Sequence, residues 1–305
     1  MNNLLRYLFL RETSTKLPLV NVVKLEGVIA PSRGVRGPQA RRLISLDRVE
    51  PWLVQAFMPA LKTFRPAAVA ISLNSPGGSA TQSELIYGRI RALAKKTKTP
   101  VYTFAEDVAA SGAYWLLLAG DEVYANKTSL VGSIGVINAT FGAVEAIKRL
   151  GIERRVYTAG KYKDLLDPFR PVRKDEEEQL QDVLADTHDS FKEAVREARG
   201  NKIAGVSEAE LWSGRIWTGR QATLLGLTDG VARLEDKMRE KVGDNVRFVH
   251  CSEPLRGGLA DALGLSGNWG GFMGRQPDIY SVTSSVSEAL LDEVQYRSMM
   301  ARYGL

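Results

Sequence analysis

The 305-residue chain is poor in the side chains that form disulfides and metal centres. It contains one cysteine, Cys251, and two histidines, His188 and His250. A single cysteine excludes an internal disulfide and any metal site that needs several cysteines. The two histidines do not have the spacing of a metal-binding motif, so we expect no metal ion.

Long apolar runs are also absent, and we therefore predict no transmembrane helix. The first ten residues are mostly apolar, but Arg6 interrupts them and no small-residue cleavage site follows. This start is a poor secretory signal and fits a loosely docked arm or a weak interfacial anchor. The expected location is membrane-associated or cytoplasmic, and the sequence does not decide between the two.

The charge of the chain is basic but dispersed. There are 41 Lys and Arg against 35 Asp and Glu, which gives a net charge of +6. Because no block concentrates this charge, we expect no nucleic-acid partner. Peripheral contact with an anionic membrane surface fits the same charge and stays open.

Apolar segments alternate with amphipathic ones along most of the chain. This alternation predicts an α/β fold with a mainly parallel sheet. The predicted strands are 19–29, 68–73, 101–104, 122–125 and 154–158, and the predicted helices are 49–63, 81–96, 109–118, 143–150, 174–199 and two short pieces within 207–227.

Three segments combine residue types that suit catalysis. Ser75-Pro76-Gly77-Gly78 follows the predicted strand 68–73, and its glycines leave backbone N–H groups unobstructed, as an oxyanion hole or an anion-binding turn requires. Ser111 has small neighbours at the start of a predicted helix, where the helix N-terminus favours negative charge. Lys163 lies in a loop after the predicted strand 154–158. Taken singly, these features also fit a tight turn, an N-cap serine and a solvated lysine.

A serine nucleophile needs a base within hydrogen-bond reach. His188 lies in the middle of a charged helix, where we expect a solvated side chain, and His250 ends a terminal strand. A lysine is an alternative base if burial and its neighbours bring its pKa toward neutrality, because an ordinary lysine is protonated at pH 7. Since the three segments follow three strands of one predicted sheet, the pattern favours a serine–lysine pair.

Five ordered segments resemble the signal peptide peptidase A family of Ser-Lys serine proteases, in its short, single-repeat form. They are Asn74-Ser75-Pro76-Gly77-Gly78, the Ala-Ser-Gly-Ala-Tyr run through Ser111, Gly132-Ser133-Ile134-Gly135-Val136, Gly160-Lys161-Tyr162-Lys163-Asp164 and Gly214-Arg215-Ile216-Trp217-Thr218-Gly219. Lys163 follows Ser111 by 52 positions, which also resembles the family spacing. The resemblance covers about residues 18–250. It implies a crotonase/Clp-protease-like fold with repeated β-β-α units, a mainly parallel core sheet and peripheral helices.

The resemblance also implies a role for each matching residue. Ser111 is the expected nucleophile and Lys163 the expected general base. The backbone N–H of Gly78 is the expected oxyanion donor, and that of Gly112 is a second one by analogy with the related Clp-type proteases. Ser133 is expected to orient the lysine amine through its hydroxyl.

Two other parts of the matching segments are expected to have no catalytic role. Lys161 is a decoy beside the catalytic lysine. In the stretch from Gly214 to Asp229, Thr218 is expected to cap a helix and Gly226-Leu227 to end it, so this stretch is interpreted as structural.

The expected activity is that of a serine endopeptidase that needs no metal or other cofactor. The resemblance implies hydrophobic peptide substrates, such as signal-peptide remnants or membrane-associated proteins, and homo-oligomers that build each site from neighbouring copies. Two alternatives stay open. One is an inactive homologue that serves as an assembly or binding module. The other is a crotonase-type acyl-CoA enzyme, which shares the fold but does not need Ser111 together with Lys163.

The predicted organisation is an N-terminal arm over 1–17, a peptidase domain over 18–250, a Gly-rich linker over 251–281 and a C-terminal amphipathic helix over 282–305. Seven glycines between positions 257 and 274 predict the linker. The apolar residues of the last segment, among them Leu290 and Leu291, need a surface to dock on. We therefore expect this segment to contribute to oligomer assembly or to membrane contact.

Overall fold

Strands and helices alternate through most of the molecule. The computed structural model describes residues 17–32, 43–59, 65–203 and 205–251. The strands are β1 Leu19–Glu26, β2 Val28–Ile29, β3 Leu43–Ile44, β4 Ala68–Ser75, β5 Val101–Ala110, β6 Glu122–Ala125, β7 Leu130–Gly132, β8 Ile216–Thr218, β9 Gly230–Val231 and β10 Arg247–Cys251. The helices are α1 Leu46–Phe57, α2 Ala80–Thr97, α3 Gly112–Leu117, α4 Val144–Arg149, α5 Lys174–Arg199, α6 Glu208–Leu211, α7 Gly219–Leu224 and α8 Leu234–Val242, with a 3₁₀ turn at Gly200–Lys202.

Within the described residues, the main sheet contains eight strands, and all but one of its strand pairs are parallel. Its order is β10-β1-β4-β5-β6-β9, and β7 pairs with both β5 and β8. The β7–β8 pair is antiparallel, and the other pairs are parallel. Parallel strands joined through helices are characteristic of the α/β class. The predicted fold class is therefore confirmed.

The central strand β4 is buried on both faces. Val69, Ile71 and Leu73 belong to the larger hydrophobic core, which also contains residues of α1, α2 and α3. Ala68 and Ala70 belong to a smaller core on the other face, beneath α8. A strand covered on both faces has no polar side to alternate with, which explains why this segment is a continuous apolar run in the sequence.

Several predicted elements are confirmed at or near their predicted bounds. The strand at 122–125 and the helix at 174–199 have the predicted bounds, and the helix predicted at 81–96 is α2. The predicted cap is also confirmed, since Thr218 Oγ1 accepts from the amide N–H of Gln221 at 3.3 Å at the start of α7. Gly226 follows the end of this helix with a φ of 75°.

Other predictions were wrong in part or entirely. The predicted strand 19–29 is broken at Gly27, whose φ is 111°. The helix predicted at 49–63 is observed at Leu46–Phe57, with residues 60–64 outside the described part. The helix predicted from Ala109 begins only at Gly112, because Ala109 and Ala110 continue β5. The strand predicted at 154–158 is not formed, and its residues are exposed without a strand partner.

An exposed segment, here named the arm, extends from residue 137 to residue 163. It contains no buried side chain, and α4 within it buries none of its residues. Several of its apolar side chains are largely exposed, including Phe141 at 89%, Leu150 at 73% and Tyr157 at 90%. Large apolar side chains that are grouped at a surface indicate a binding surface.

The predicted N-terminal arm, all but the first residue of the predicted linker, and the predicted C-terminal helix lie outside the described residues. The domain boundaries at 17/18, 250/251 and 281/282 therefore stay predictions. Among the described helices, none has both the length and the apolarity needed to cross a bilayer.

A buried ion pair attaches the end of α5 to the sheet. Arg199 Nη1 lies 2.8 Å from Asp229 Oδ2, and the two side chains are 2% and 16% exposed. The same carboxylate oxygen accepts from the Val123 N–H at 2.8 Å. Burial acts to raise the pKa of Asp229, but hydrogen bonds from Arg199, Lys202 and the Val123 amide outweigh it and lower the pKa to about 2.

Arg199→Met should lower the free energy of unfolding by about 3 kcal/mol at pH 7, because it leaves a buried carboxylate without its main partner. Asp229 has a lower pKa in the folded protein than the ordinary 3.8, so its contribution is present above that value and is lost as the pH falls through about 2. Urea denaturation at pH 7 and at acid pH measures both effects. Lys192→Met, which removes the surface pair with Asp189, is the control and should cost less than about 1 kcal/mol. Equal stability of Arg199→Met and the wild type at pH 7 would contradict the assignment.

Candidate active site

Ser111 lies at the junction between β5 and α3. Its backbone has φ 55° and ψ −127°, a conformation that residues with a side chain rarely adopt. Its N–H donates to the Gly132 carbonyl at 2.8 Å, which holds the junction against β7. The side chain is partly exposed and makes no capping hydrogen bond. The Ser111 hydroxyl is therefore not committed to helix capping.

The Gly77-Gly78 turn packs directly against this junction. The two φ angles are 100° and 142°. A Cβ atom on Gly77 would lie 2.8 Å from Ser111 Cβ and 2.9 Å from the Gly112 nitrogen, so only glycine fits there. On the other side of the turn, a Cβ atom on Gly78 would lie 2.0 Å from the Ile29 carbonyl oxygen. Both glycines are required by close approach as well as by backbone conformation.

Two backbone N–H groups flank this region: Gly112 directly follows Ser111, and Gly78 follows the turn residue Gly77 that packs against Ser111. Ile29 N–H donates to the Gly77 carbonyl at 2.9 Å, and Ser79 N–H donates to the Ile29 carbonyl at 2.7 Å. The N–H of Gly78 is not a donor in either of these two hydrogen bonds. Gly112 is the first residue of α3, and the first N–H groups of a helix have no intrahelical acceptor. Gly78 is exposed and Gly112 is buried. Two unobstructed donors beside a serine hydroxyl have the composition of an oxyanion hole.

Ser133 follows β7, and the pairing of β7 with β5 places it in the same region as Ser111. Ala110 is paired with Gly132 in the β5–β7 register, so Ser111 and Ser133 follow paired residues. Ser133 has a φ of 53°, and its N–H donates to the Arg215 carbonyl at 2.8 Å. The sequence analysis did not identify Gly132 as the acceptor of the Ser111 N–H. Only the Gly132-Ser133 match indicated that this strand end belongs to the site.

Lys163 is the last of the arm's exposed residues, and no hydrogen bond joins it to these residues in the described part of the chain. It is exposed in the turn that ends the arm, and its N–H donates to the Gly160 carbonyl at 3.3 Å. No hydrogen bond or ion pair of the Lys163 ammonium is found among the described residues. The expected strand that would have placed Lys163 at the sheet edge is the one that does not form. The pairing of Lys163 with Ser111 therefore stays a prediction.

The ammonium group of Lys161 is already paired with neighbouring side chains. It lies 2.8 Å from Asp175 Oδ2 and 4.8 Å from the centre of the Tyr162 ring. A hydrogen bond to Asp175, with a smaller contribution from Tyr162, raises the pKa of Lys161. A lysine with a raised pKa is a poor general base.

His188 differs from the expected solvated side chain. It is half-buried, and its Nε2 lies 3.3 Å from the Ile134 carbonyl oxygen, one residue beyond Ser133. Burial, and next the Lys192 ammonium, lower the pKa of His188. Its helix packs on α3 where Phe191 stacks on Trp115, with ring centres 4.9 Å apart. The expectation was wrong because the position of a residue within a helix does not show which elements pack against that helix.

The alanines near Ser111 do not line an open surface. Ala109, Ala110 and Ala113 are each 0% exposed, so they shape the backbone beneath the serine and cannot contact a bound peptide directly. In the described segments, no group of three or more His, Cys, Asp or Glu side chains has an arrangement that would hold a metal ion.

Ser111→Gly should raise the free energy of unfolding by about 1 kcal/mol, because glycine releases the strain at φ 55° and loses part of that gain to backbone entropy. Ser111→Ala keeps the Cβ atom and should have wild-type stability within about 0.5 kcal/mol. Chemical denaturation of the three proteins gives the comparison. If Ser111→Gly were the least stable of them, the backbone at this junction would not be strained.

The comparisons with known proteins point to one family of peptidases. The model of peptidase family S49 matches residues 93–244, a range that contains Ser111, Gly112, Ser133 and Lys163, whereas Gly78 precedes it. The chain is 36% identical over 199 residues to a protein named as a protease from Methanocaldococcus jannaschii, a match of 65% of this chain and 62% of that protein. It is 29% identical over 268 residues to the chloroplastic serine protease SPPA of Arabidopsis thaliana, covering 80% of this chain and 39% of the relative.

A third relative has a name of a different kind. The chain is 40% identical over 296 residues to a Brucella abortus protein named Na(+)/H(+) antiporter NhaA, which is 97% of this chain and 38% of that protein. The chain thus spans less than two thirds of the length of each of these three relatives. Because the match covers a minority of the Brucella protein, we carry no transport activity over from its name. The family match and the protease relatives agree with the five motifs, and the chain belongs to peptidase family S49, the signal peptide peptidase A family, with its Clp-protease/crotonase-like fold.

Proposed function

We propose that the chain is a serine endopeptidase with Ser111 as nucleophile and Lys163 as general base. The observation that carries the proposal is the strained Ser111 backbone, fixed at a strand-to-helix junction against the Gly77-Gly78 turn. Strain of this kind persists only where the surrounding structure enforces it, and it is concentrated at active sites. Membership of a peptidase family supports the same conclusion.

In the proposed mechanism, the neutral amine of Lys163 takes the proton of Ser111 Oγ, which bonds to the carbonyl carbon of the substrate peptide. The N–H groups of Gly78 and Gly112 stabilise the negative charge on the carbonyl oxygen. The lysine ammonium then gives its proton to the leaving amine, and the bond to that amine breaks. Water hydrolyses the acyl-enzyme with the same lysine as base. Ser133 orients the Lys163 amine through its hydroxyl.

The other candidate bases fit this role less well. His188 Nε2 already lies within hydrogen-bond distance of the Ile134 carbonyl, and the Lys161 ammonium is paired with Asp175. Lys163 is the lysine of this loop whose ammonium has no such partner among the described residues. A lysine side chain that is not already bound to a neighbour is available to enter an active site.

We propose further that the site is completed by a second copy of the chain. Lys163 lies at the end of the exposed arm, and Ser111 lies at a strand-to-helix junction beside the core. The apolar side chains of the arm, among them Phe141 and Tyr157, would be buried by contact with another copy. A lysine ammonium in water is protonated at neutral pH, so it needs such burial to act as a base. The family resemblance implies the same arrangement.

The proposed substrates are extended, apolar peptides, such as signal-peptide remnants or segments of membrane-associated proteins. This part of the proposal is drawn from the family resemblance, since the buried alanines beside Ser111 give no direct pocket chemistry. Extended peptides bind strand edges through main-chain hydrogen bonds, and adjacent pockets select side chains. A peptide-library profile dominated by Lys, Arg or Asp at the cleavage site would contradict it.

Ser111→Ala and Lys163→Ala should each lower kcat/KM on an apolar peptide by at least about 10³-fold, because each removes one half of the nucleophile–base pair. Lys161→Ala and His188→Ala are matched controls on the same loop and on α5, and neither should abolish cleavage. Reaction with a serine-directed probe separates the alternatives. An unreactive wild-type chain would support the inactive homologue, and a His188→Ala loss equal to that of Lys163→Ala would overturn the assignment of the base.

Co-expression of Ser111→Ala with Lys163→Ala should restore up to about a quarter of the wild-type activity, because one site in four in a randomly mixed ring receives an intact serine and an intact lysine. Each variant alone should be inactive. The double variant co-expressed with either single variant is the control, and it should restore nothing. A wild-type enzyme that is active and monomeric by light scattering would rule out the two-copy site.

A further inference from the structure

An ionic cluster holds the loop that carries Lys163. Arg170 Nε donates to Asp164 Oδ2 at 2.9 Å, and Arg170 Nη2 donates to the Asp164 carbonyl oxygen at 2.8 Å. The same guanidinium binds Glu176 in the first turn of α5, with Nη1 2.9 Å from Oε2 and Nη2 in contact with Oε1. One planar side chain thus ties the residue after Lys163 to the start of a long helix.

A second arginine ties the other side of the same loop. Arg173 Nη2 donates to the Lys161 carbonyl oxygen at 2.9 Å and lies 3.4 Å from Asp164 Oδ1. It also contacts Glu176 Oε1. Lys163 is therefore flanked on both sides by residues that are fixed to the N-terminus of α5. We name Asp164, Arg170, Arg173 and Glu176 the clamp.

Three of the four clamp side chains are shielded from water, unlike those of the arm, whereas that of Arg173 is 43% exposed. The side chain of Glu176 is 0% exposed, that of Asp164 17% and that of Arg170 23%. By contrast, the Arg155–Glu153 pair on the arm is 68% and 71% exposed. Hydrogen bonds from Arg170 are the main cause that lowers the pKa of both Asp164 and Glu176, so both carboxylates are ionised at neutral pH. Charge-assisted, bidentate bonds in a shielded place fix geometry more strongly than surface pairs do.

From this geometry we propose that Arg170 is a positioning residue for Lys163. Its guanidinium holds the lysine loop rigidly on α5, so that the amine is presented at a fixed place and orientation. The inference rests on the proposed function, in which Lys163 is the base. Because a displacement of about 1 Å in a catalytic group can cost about 100-fold in rate, loss of the clamp should impair proton transfer without removing the base.

Arg170→Met should lower the rate of acylation by a serine-directed probe by about 10- to 100-fold. Arg170→Lys should give an intermediate rate, because an ammonium cannot form the planar fork to two carboxylates. Arg170→Ala should recover part of its rate when guanidinium chloride is added at non-denaturing concentration. Arg155→Met, which breaks only the exposed pair with Glu153, is the matched control and should keep the wild-type rate within about twofold.

A second variant separates positioning from folding. Arg170→Met leaves Glu176 buried without its main partner, which by itself destabilises the fold. The double variant Arg170→Met/Glu176→Gln removes that buried charge, so circular dichroism and light scattering should show a wild-type fold and assembly. We expect its acylation rate to stay as low as that of Arg170→Met. A wild-type rate in the double variant would show that Arg170 acts only in folding and would overturn the proposal.

A failure of the positioning role of Arg170 can be distinguished from a failure of the proposed function. If Lys163→Ala keeps full activity, the base has been assigned wrongly and the positioning role falls with it. If Lys163→Ala is inactive while folded Arg170→Met has the wild-type rate, only the role of Arg170 is refuted. Inactivity of Lys163→Ala, a slow Arg170→Met and rescue by guanidinium together support the proposal.

Discussion

The close approach of the Gly77-Gly78 turn to Ser111 is the constraint on which the candidate site depends. β4 and β5 are parallel neighbours, and the register shift between Leu73 and Ser75 brings the end of β4 level with Ala109. The turn after β4 therefore meets the junction after β5, where a Cβ atom on Gly77 would overlap Ser111 Cβ and the backbone of Ala110 and Gly112. The Gly132 carbonyl fixes the same junction from β7. Strain at Ser111 is thus maintained by three strands of the sheet and not by its own helix.

Helix α5 connects this site to the rest of the molecule. Its last residue is held by the buried Arg199–Asp229 pair, and Phe191 stacks on Trp115 of α3, four residues after Ser111. Its first turn carries Glu176, the shielded carboxylate of the clamp. The same helix therefore contacts both α3, which follows Ser111, and the loop that carries Lys163. This explains how an exposed arm has a rigid end.

Sequence reasoning predicted the elements that local pattern determines. β4 is a continuous apolar run, and α2 and α5 have clear helical periodicity, so their bounds were nearly right. The approach of the Gly77-Gly78 turn to Ser111 was also predictable, since carboxyl ends of parallel strands meet at one sheet edge, whereas only the family resemblance indicated Ser133. Short strands such as β7 and β9 were missed, because two or three residues acquire strand structure only from distant partners. The segment 154–158 has strand-like residues but finds no partner, so the prediction there failed.

The position of Lys163 could not be predicted for a related reason. Its loop is bound through Arg170 to Glu176 of α5, and no local sequence pattern indicates these hydrogen bonds. The proposed nucleophile, Ser111, can be assembled inside one chain because its strained backbone needs a packed core. The proposed base, Lys163, needs a side chain that stays in water until a neighbouring surface covers it. A serine fixed at a junction beside the core and a lysine at the end of an exposed arm meet both needs, and this arrangement makes the proposed activity depend on assembly.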